Sequence, residues 1–345
     1  MKVLVVNSMV PFVHGGAEEL CLHLVRNLRL AGAEAEAFLI PFAWEPAERI
    51  LEEMVIARSL RLGKVDRVIG LKFPTYLIPH DNKVLWLLHQ YRQAYDLWDA
   101  GQSNLPYNER GEEIRRQVTN SDNECFANVR GLYAIAANTA DRLRRSNGFE
   151  AEILMHPLND PHLFIGEESE GYILASGRIS GAKRQEMLVR AMAYAGRHVR
   201  LVVAGPPDSA KDELQIRQLV AKEGLEDRVT LDIRFLPRQE LADLTNRALA
   251  VAYIPFDEDS IGYCTMEAMH AEKPVLTVTD SGGVQAALKH RQTGFVVAPD
   301  PEQLGAEMSW IFDNVSAVKE IGRAGRAHWL AQGANWPKVV ERLLS

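Results

Sequence analysis

The feature that most constrains the fold is an alternation of short apolar strands with amphipathic helices along almost the whole chain. The strand segments are apolar on both faces, as is typical of a parallel sheet that is buried on both sides. Strands are predicted at 3–6, 37–40, 67–71, 84–88, 132–136, 153–155, 172–175, 201–204, 229–233, 248–254, 275–278 and 295–297, and helices at 17–31, 210–224 and 302–314. This pattern predicts two doubly wound Rossmann-like α/β domains with ligands outside the carboxyl ends of the strands.

The length of 345 residues exceeds what one hydrophobic core usually supports, and an apolar content of 47% is enough for two. The segment LNDPHLFIGEESEG at 158–171 is rich in turn residues and charge, so we place the domain boundary there. We predict a first domain at 1–165, a second at 166–325 and C-terminal helices at 326–345.

Charge and cysteine content exclude several classes of protein. The net charge is −7 and neither half is strongly basic, so no nucleic-acid partner is expected. The three cysteines are far apart and lack the spacing of metal ligands, which favours a reducing compartment, and we predict a cytoplasmic location. No apolar run approaches the about 18 residues that span a bilayer, so any membrane contact is expected to be peripheral.

A glycine pair, Gly15 and Gly16, stands between the first strand and the first helix. The missing side chains would let backbone N–H groups approach a diphosphate, although a tight turn that merely needs glycine explains the pair equally well. Glu18 and Glu19 complement the helix dipole themselves, so a phosphate here would require a cation from elsewhere. The absence of a GxGxxG motif argues against a dinucleotide-dependent dehydrogenase.

The stretch SGRISGAKRQEMLVRAM follows the first strand of the second domain and carries Arg178 and Lys183 around a glycine-containing loop. An arginine fork and a lysine charge at a helix N-terminus are suited to a diphosphate. The alternative is a solvated basic turn.

A third candidate is DEDSIGYCTMEAM at 257–269, where Asp259 and Glu267 follow one apolar strand. Each carboxylate can accept hydrogen bonds from vicinal hydroxyls of a sugar or ribose. Glu267 could equally serve only to complement the dipole of the helix that begins there. The residues whose backbone is expected to approach a ligand are Gly262, Tyr263, Cys264 and Thr265. A further glycine pair, in TDSGGVQ at 279–285, also follows a strand.

With these motifs in view, the chain resembles the retaining glycosyltransferases of family 4, whose GT-B fold is two doubly wound domains facing each other across a cleft. Asp259, seven residues, Glu267 and then AMHAEKPVL are similar to that family's acidic pair and the segment after it. Arg178 and Lys183 look like its phosphate-binding cations, and TDSGGVQ with TGFVV like two of its later segments. NWPKVVERLL at 335–344 resembles the family's last helix, so residues 326–345 are expected to cross back to the first domain.

The resemblance implies a role for each candidate residue. Asp259 would hold sugar hydroxyls and Glu267 the ribose, while Arg178 and Lys183, with Gly15 and Gly16, would stabilise the leaving diphosphate. His89, after a first-domain strand, matches a histidine that contacts the donor sugar, although a structural role is as consistent with its position. The family has Glu where Asp259 stands, and the approach to Gly262 is one residue longer here, so Glu258 could take the role of Asp259.

The function implied is transfer of a sugar, with retention, from a nucleoside-diphosphate sugar to a saccharide or glycolipid acceptor, with no metal and no cofactor. The alternatives are a sugar-nucleotide epimerase or a phosphorylase on the same architecture, or a catalytically silent nucleotide-sugar binding protein. Asp259 in place of Glu favours the last. Acceptor contacts are expected from the loop at 90–112, whose aromatic residues could also simply pack beneath it.

Overall fold

The computed structural model describes residues 1–13 and 15–345, which form two compact units. The first unit comprises Met1–Pro157 with Ala334–Ser345, and the second comprises Leu158–Gly333. Each unit contains one six-stranded sheet in which the paired strands run parallel, with α-helices between most successive strands. The doubly wound α/β class predicted from the alternating pattern is therefore confirmed.

The first sheet has the order β2-β1-β3-β4-β5-β6. Its strands are β1 Lys2–Met9, β2 Glu34–Pro41, β3 Arg67–Lys72, β4 Lys83–His89, β5 Gly131–Ala134 and β6 Glu152–Ile153. Its helices are α1 Gly16–Leu30, α2 Ile50–Ser59, α3 Asp96–Asp99, α4 Glu109–Ala127 and α5 Ala137–Asn147. Leu20, Leu24 and Leu28 form a buried stripe along α1, at a spacing of about one helical turn.

The second sheet has the order β12-β11-β10-β7-β8-β9. Its strands are β7 Ile173–Ser176, β8 Leu201–Ala204, β9 Val229–Asp232, β10 Ala250–Ala252, β11 Val275–Val278 and β12 Phe295–Val297. Its helices are α6 Gln185–Ala191, α7 Ala210–Lys222, α8 Arg238–Arg247, α9 Tyr263–His270, α10 Gly283–Ala286, α11 Pro301–Asp313 and α12 Val315–Ala331. The strand order reverses between β7 and β10, which is the position at which doubly wound sheets typically bind their ligands.

The last helix, α13 (Trp336–Leu344), belongs to the first unit. Val339, Val340 and Leu343 are buried on its apolar face. Arg67 donates to the carbonyl of Leu343 at 2.9 Å, which ties the end of the helix to β3. No helix in the described parts of the chain is long and apolar enough to cross a bilayer.

The chain passes from one unit to the other at 157/158 and at 333/334, whereas the sequence predicts domain boundaries at 165/166 and 325/326. The segment before residue 166 is held by the second unit, because Asn246 Nδ2 donates to the Leu163 carbonyl at 2.8 Å. Helix α12 continues unbroken to Ala331, and Arg326 on it pairs with Glu272 at 2.8 Å. A turn-rich composition therefore indicates the region of a domain boundary, but it does not indicate which of the two units the turn residues are bonded to.

Candidate functional site in the second unit

Lys183 is the cation at the centre of the second unit's candidate site. Its ammonium group donates to the Tyr253 hydroxyl at 2.9 Å and forms an ion pair with Glu258. Tyr253 in turn donates to the same Glu258 oxygen at 3.0 Å. The side chains of Lys183 and Glu258 are about three-quarters buried, with 23% and 22% exposed, so the pair is accessible to a small ligand. Burial and the Glu258 charge raise the pKa of Tyr253 well above its usual value, so this hydroxyl stays protonated.

Arg178 lies in the same loop after β7, but on its exposed side. It pairs with Asp208 at 3.1 Å, and both side chains are nearly half exposed. Exposed pairs of this kind contribute little to stability, so the guanidinium can exchange Asp208 for a stronger anion. The close packing beneath it requires glycine, because a Cβ on Gly205 would lie 2.2 Å from the carbonyl oxygen of Gly177.

Helix α9 begins at Tyr263, directly after Gly262, whose φ is +73°. A Cβ on Gly262 would lie 2.5 Å from the Tyr253 ring. The Tyr263 hydroxyl accepts from Asn159 Nδ2 at 3.2 Å. Burial raises the pKa of the Cys264 thiol to about 12, so this thiol stays protonated and is a poor nucleophile.

Thr265 lies in the first turn of α9 and is completely buried. Within residues 1–13 and 15–345, its Oγ1 has no hydrogen-bond partner. The first amides of a helix also lack partners within the helix. The start of α9 therefore presents helix N–H groups directly after Gly262, an arrangement typical of anion-binding turns.

Glu267 is almost fully buried on α9 and forms an ion pair with Arg238, the first residue of α8. Arg238 also donates to the Asn159 carbonyl at 3.0 Å, and its guanidinium lies 4.7 Å from the centre of the Phe164 ring. Arg238 is absent from the sequence-based candidates, since nothing in PRQEL distinguishes it from a solvated first-turn residue. The alternative in which Glu267 only complements the helix dipole does not account for this partner.

The loop before Gly262 carries the two acids, Glu258 and Asp259, that the sequence offers as alternatives for binding the sugar. Glu258 contacts Lys183, and Asp259 follows it in a partly buried position. Gly282 and Gly283 pack directly beneath this loop, because Cβ atoms there would lie 2.4 Å from the Glu258 carbonyl oxygen and 2.6 Å from that of Ser260. The glycine pair of TDSGGVQ therefore supports the acidic loop from below.

Candidate residues in the first unit

Gly15 and Gly16 stand at the start of α1, as predicted, and the helix begins at Gly16. The Gly15 amide donates to Glu18 Oε2 at 3.0 Å, so a carboxylate of the chain already lies at this helix terminus. Lys72, at the end of β3, pairs with the other Glu18 oxygen at 3.4 Å. Lys72 is thus a cation close to this helix terminus that is not among the sequence-based candidates, which place the phosphate-binding cations at Arg178 and Lys183.

His89 ends β4, and its Nδ1 lies 2.6 Å from the Gln90 carbonyl oxygen. A carbonyl only accepts, so Nδ1 carries the proton. Burial lowers the pKa of His89 to about 4, with smaller contributions from nearby cations, and the ring is therefore neutral at pH 7. Its Nε2 then holds a lone pair that can accept a hydrogen bond from a hydroxyl.

Comparison with known proteins

Residues 164–328 match the family described as Glycosyl transferases group 1. Among the relatives with a curated name, the mouse (Mus musculus) alpha-1,3/1,6-mannosyltransferase ALG2 is 31% identical over 121 residues, which cover 35% of this chain and 28% of ALG2. The D-inositol 3-phosphate glycosyltransferase of Streptomyces scabiei is 33% identical over 177 residues, covering 47% of this chain and 38% of that protein. The chain thus spans about a third of the length of these relatives.

Solved structures match over the whole chain. Sucrose-phosphate synthase from Thermosynechococcus elongatus superposes with a TM-score of 0.79 at 17% identity, covering 99% of this chain and 97% of that one. Anabaena HepE, solved in complex with UDP-glucose, gives a TM-score of 0.74 at 16% identity, covering 100% and 98%. Together with the two parallel six-stranded sheets, these similarities confirm the predicted GT-B fold class.

Proposed function

We propose that this chain, whose residues 164–328 match the group 1 glycosyltransferases, transfers a sugar from a nucleoside-diphosphate sugar to an acceptor hydroxyl and retains the anomeric configuration. The observation that carries the proposal is the arrangement of Lys183, Tyr253 and Glu258 beside the start of α9, where the strand order of the sheet reverses. A cation, helix amides and a carboxylate at such an edge suit a diphosphate joined to a polyol. HepE, with the same fold, was solved with UDP-glucose, which makes UDP the first nucleotide to test.

The reaction requires charge to be stabilised on both sides of the broken bond. As the bond from the anomeric carbon to the diphosphate oxygen breaks, its electron pair goes to the phosphate. Lys183, Arg178 and the N–H groups at the start of α9 stabilise this developing charge. The acceptor oxygen bonds to the same face of the anomeric carbon and its proton passes to the departing phosphate oxygen, so configuration is retained without a protein nucleophile.

The remaining residues bind and orient the donor. Glu267 would accept hydrogen bonds from the ribose hydroxyls, and His89 Nε2 would accept one from a sugar hydroxyl. We further propose that no metal takes part, that the protein acts in the cytoplasm or at the inner membrane face, and that the acceptor is a saccharide or glycolipid.

The proposal is tested by combining binding with turnover. UDP, GDP and ADP are screened by thermal shift in EDTA, and the best nucleotide is followed with its labelled sugar donors and a panel of saccharide acceptors. We expect one nucleotide to raise the melting temperature and its sugar donor to be consumed with release of that nucleotide. Proton NMR of the product then reports the anomeric configuration. Binding without turnover would identify a silent binding protein, a converted donor without nucleotide release an epimerase, and neither binding nor turnover would contradict the proposal.

Paired substitutions can identify which acid, Glu258 or Asp259, binds the donor sugar. Because Glu258 is in contact with Lys183, we expect Glu258→Gln to lower donor turnover by about tenfold to a hundredfold, and Asp259→Asn to lower it less. Both variants remove one charge from the same loop, so each serves as the other's control. The measurement is kcat and KM for the donor. A larger loss from Asp259→Asn would assign the role to Asp259, as the family's spacing implies.

A further inference from the structure

Arg184, directly after Lys183, has a backbone conformation that side chains other than glycine rarely adopt. Its φ is +55° and its ψ is +31°, in the left-handed region, and it stands immediately before α6. Conformations of this kind cost free energy and persist where the surrounding contacts determine them. We therefore expect the contacts of the Arg184 side chain to hold this conformation in place.

Those contacts use the whole guanidinium group. Nη1 and Nη2 donate to the two oxygens of Asp280 at 2.9 and 2.7 Å. Nε donates to the Ile254 carbonyl at 2.8 Å, and Nη2 also donates to that of Pro255 at 2.8 Å. The Arg184 side chain is only 14% exposed. A planar fork can make these bonds together, whereas the single charged group of a lysine cannot.

The Arg184–Asp280 pair joins three loops at one edge of the second sheet: the β7 loop (177–184), the β10 loop (253–262) and the β11 loop (279–282). Three backbone bonds run beside it. The Phe256 amide donates to the Ala182 carbonyl at 2.9 Å, the Asp257 amide to Asp280 at 2.8 Å, and the Gly283 amide to Glu258 at 2.8 Å. Lys183 on the β7 loop and Glu258 on the β10 loop are thus held by one connected set of bonds.

We propose that Arg184 and Asp280 are positioning residues, which fix Lys183 and Glu258 relative to each other and thereby set the affinity of the site for a nucleoside diphosphate. The inference rests on the proposed function, because it assigns the pair a role in that same site. Neither side chain needs to touch the substrate. A charged group that is held in place before the ligand binds need not be ordered on binding, and this makes the free energy of binding more favourable.

The connection between the loops is tested without any ligand, by amide hydrogen exchange. In Arg184→Gln and in Asp280→Asn we expect the amides of Phe256, Asp257 and Gly283 to exchange about tenfold faster or more, since local opening becomes easier. Arg217→Gln, which removes an exposed ion pair with Glu213 on α7, is the matched control and should leave these amides unchanged. Unaltered exchange at all three amides in both variants would overturn the proposal.

The effect on the site is tested by binding of UDP, GDP and ADP, measured calorimetrically. We expect Arg184→Gln to weaken binding of the tightest-binding nucleotide by about tenfold, and Arg184→Lys to weaken it less. Arg184→Gly separates positioning from backbone strain. Glycine adopts the left-handed conformation freely but retains none of the side-chain bonds, so nucleotide affinity should still fall about as far as in Arg184→Gln. Wild-type affinity in Arg184→Gly would overturn the proposal.

Failure of this inference is distinguishable from failure of the proposed function. If the unaltered protein binds a nucleotide and the Arg184 variants bind it equally well, only the positioning role is overturned. If the unaltered protein binds no nucleoside diphosphate, the proposed function falls, and the positioning role falls with it.

Discussion

Replacing Lys183 by Ala is expected to lower donor turnover by about two powers of ten or more. Lys183 is the partly accessible cation that contacts both Tyr253 and Glu258, and in the proposed reaction its charge meets the departing phosphate. The substitution also leaves the Glu258 carboxylate beside the site without this cation, and that carboxylate would repel the diphosphate. We therefore expect both a lower kcat and a weaker affinity for the nucleotide, measured by steady-state kinetics and calorimetry.

Two further variants make the Lys183 result interpretable. Lys183→Arg keeps the positive charge with a different shape and is expected to retain part of the activity. Lys211→Ala removes an exposed lysine from α7 in the same unit and should leave turnover unchanged. Melting temperatures of all three proteins report whether they are folded. Near-normal turnover of folded Lys183→Ala would exclude Lys183 from the phosphate site.

The fold could be predicted largely because the chain's apolar pattern reports burial directly. Strand β12 at Phe295–Val297 coincides with its prediction, and α1 differs from its prediction by one residue at each end. The strand predicted at 248–254 is shorter in the structure, where β10 covers Ala250–Ala252. Burial extends beyond the paired residues, so apolar character at a sheet edge marks burial more reliably than it marks strand pairing.

The candidate site could be predicted only in part. Motifs after the strands identify Lys183 and Glu267, because parallel strands bring their carboxyl ends to one edge. Their partners follow from contacts between distant parts of the chain: Arg238 is 29 residues from Glu267, and Asp280 is 96 residues from Arg184. Spacing along the sequence carries no information on such pairs.

Arg184 gives the clearest case of a residue that local patterns misplace. Its sequence neighbours indicate a basic turn at the start of a helix, in which arginine would be exposed to solvent. In the structure its side chain is mostly buried and its backbone is left-handed. Tertiary bonds to the β10 and β11 loops override the local preference, and this conflict between local and global preference is typical of functional sites.

The second large effect is expected at Glu267, whose carboxylate is buried with only Arg238 as its ion-pair partner in the described part of the chain. Arg238→Met would leave that charge buried and unpaired, and we expect the free energy of unfolding to fall by about 3 kcal/mol at pH 7.5. The lower part of the usual range applies, because Arg238 itself is 32% exposed. Urea unfolding followed by circular dichroism measures the change.

The pH dependence of the Arg238→Met defect identifies its cause. Without the arginine, the buried Glu267 carboxylate would lack a counter-charge, and binding a proton there would remove the cost of burying that charge. Stability lost at pH 7.5 should therefore be regained relative to wild type as the pH falls toward 5. Arg247→Met, which breaks the exposed pair with Glu170, should change the free energy of unfolding by about 0.5 kcal/mol or less at either pH. If the loss of stability in Arg238→Met is independent of pH, its cause is instead the lost packing of Arg238 on Phe164. The Glu267 charge would then not need the ion pair to be tolerated in the folded protein.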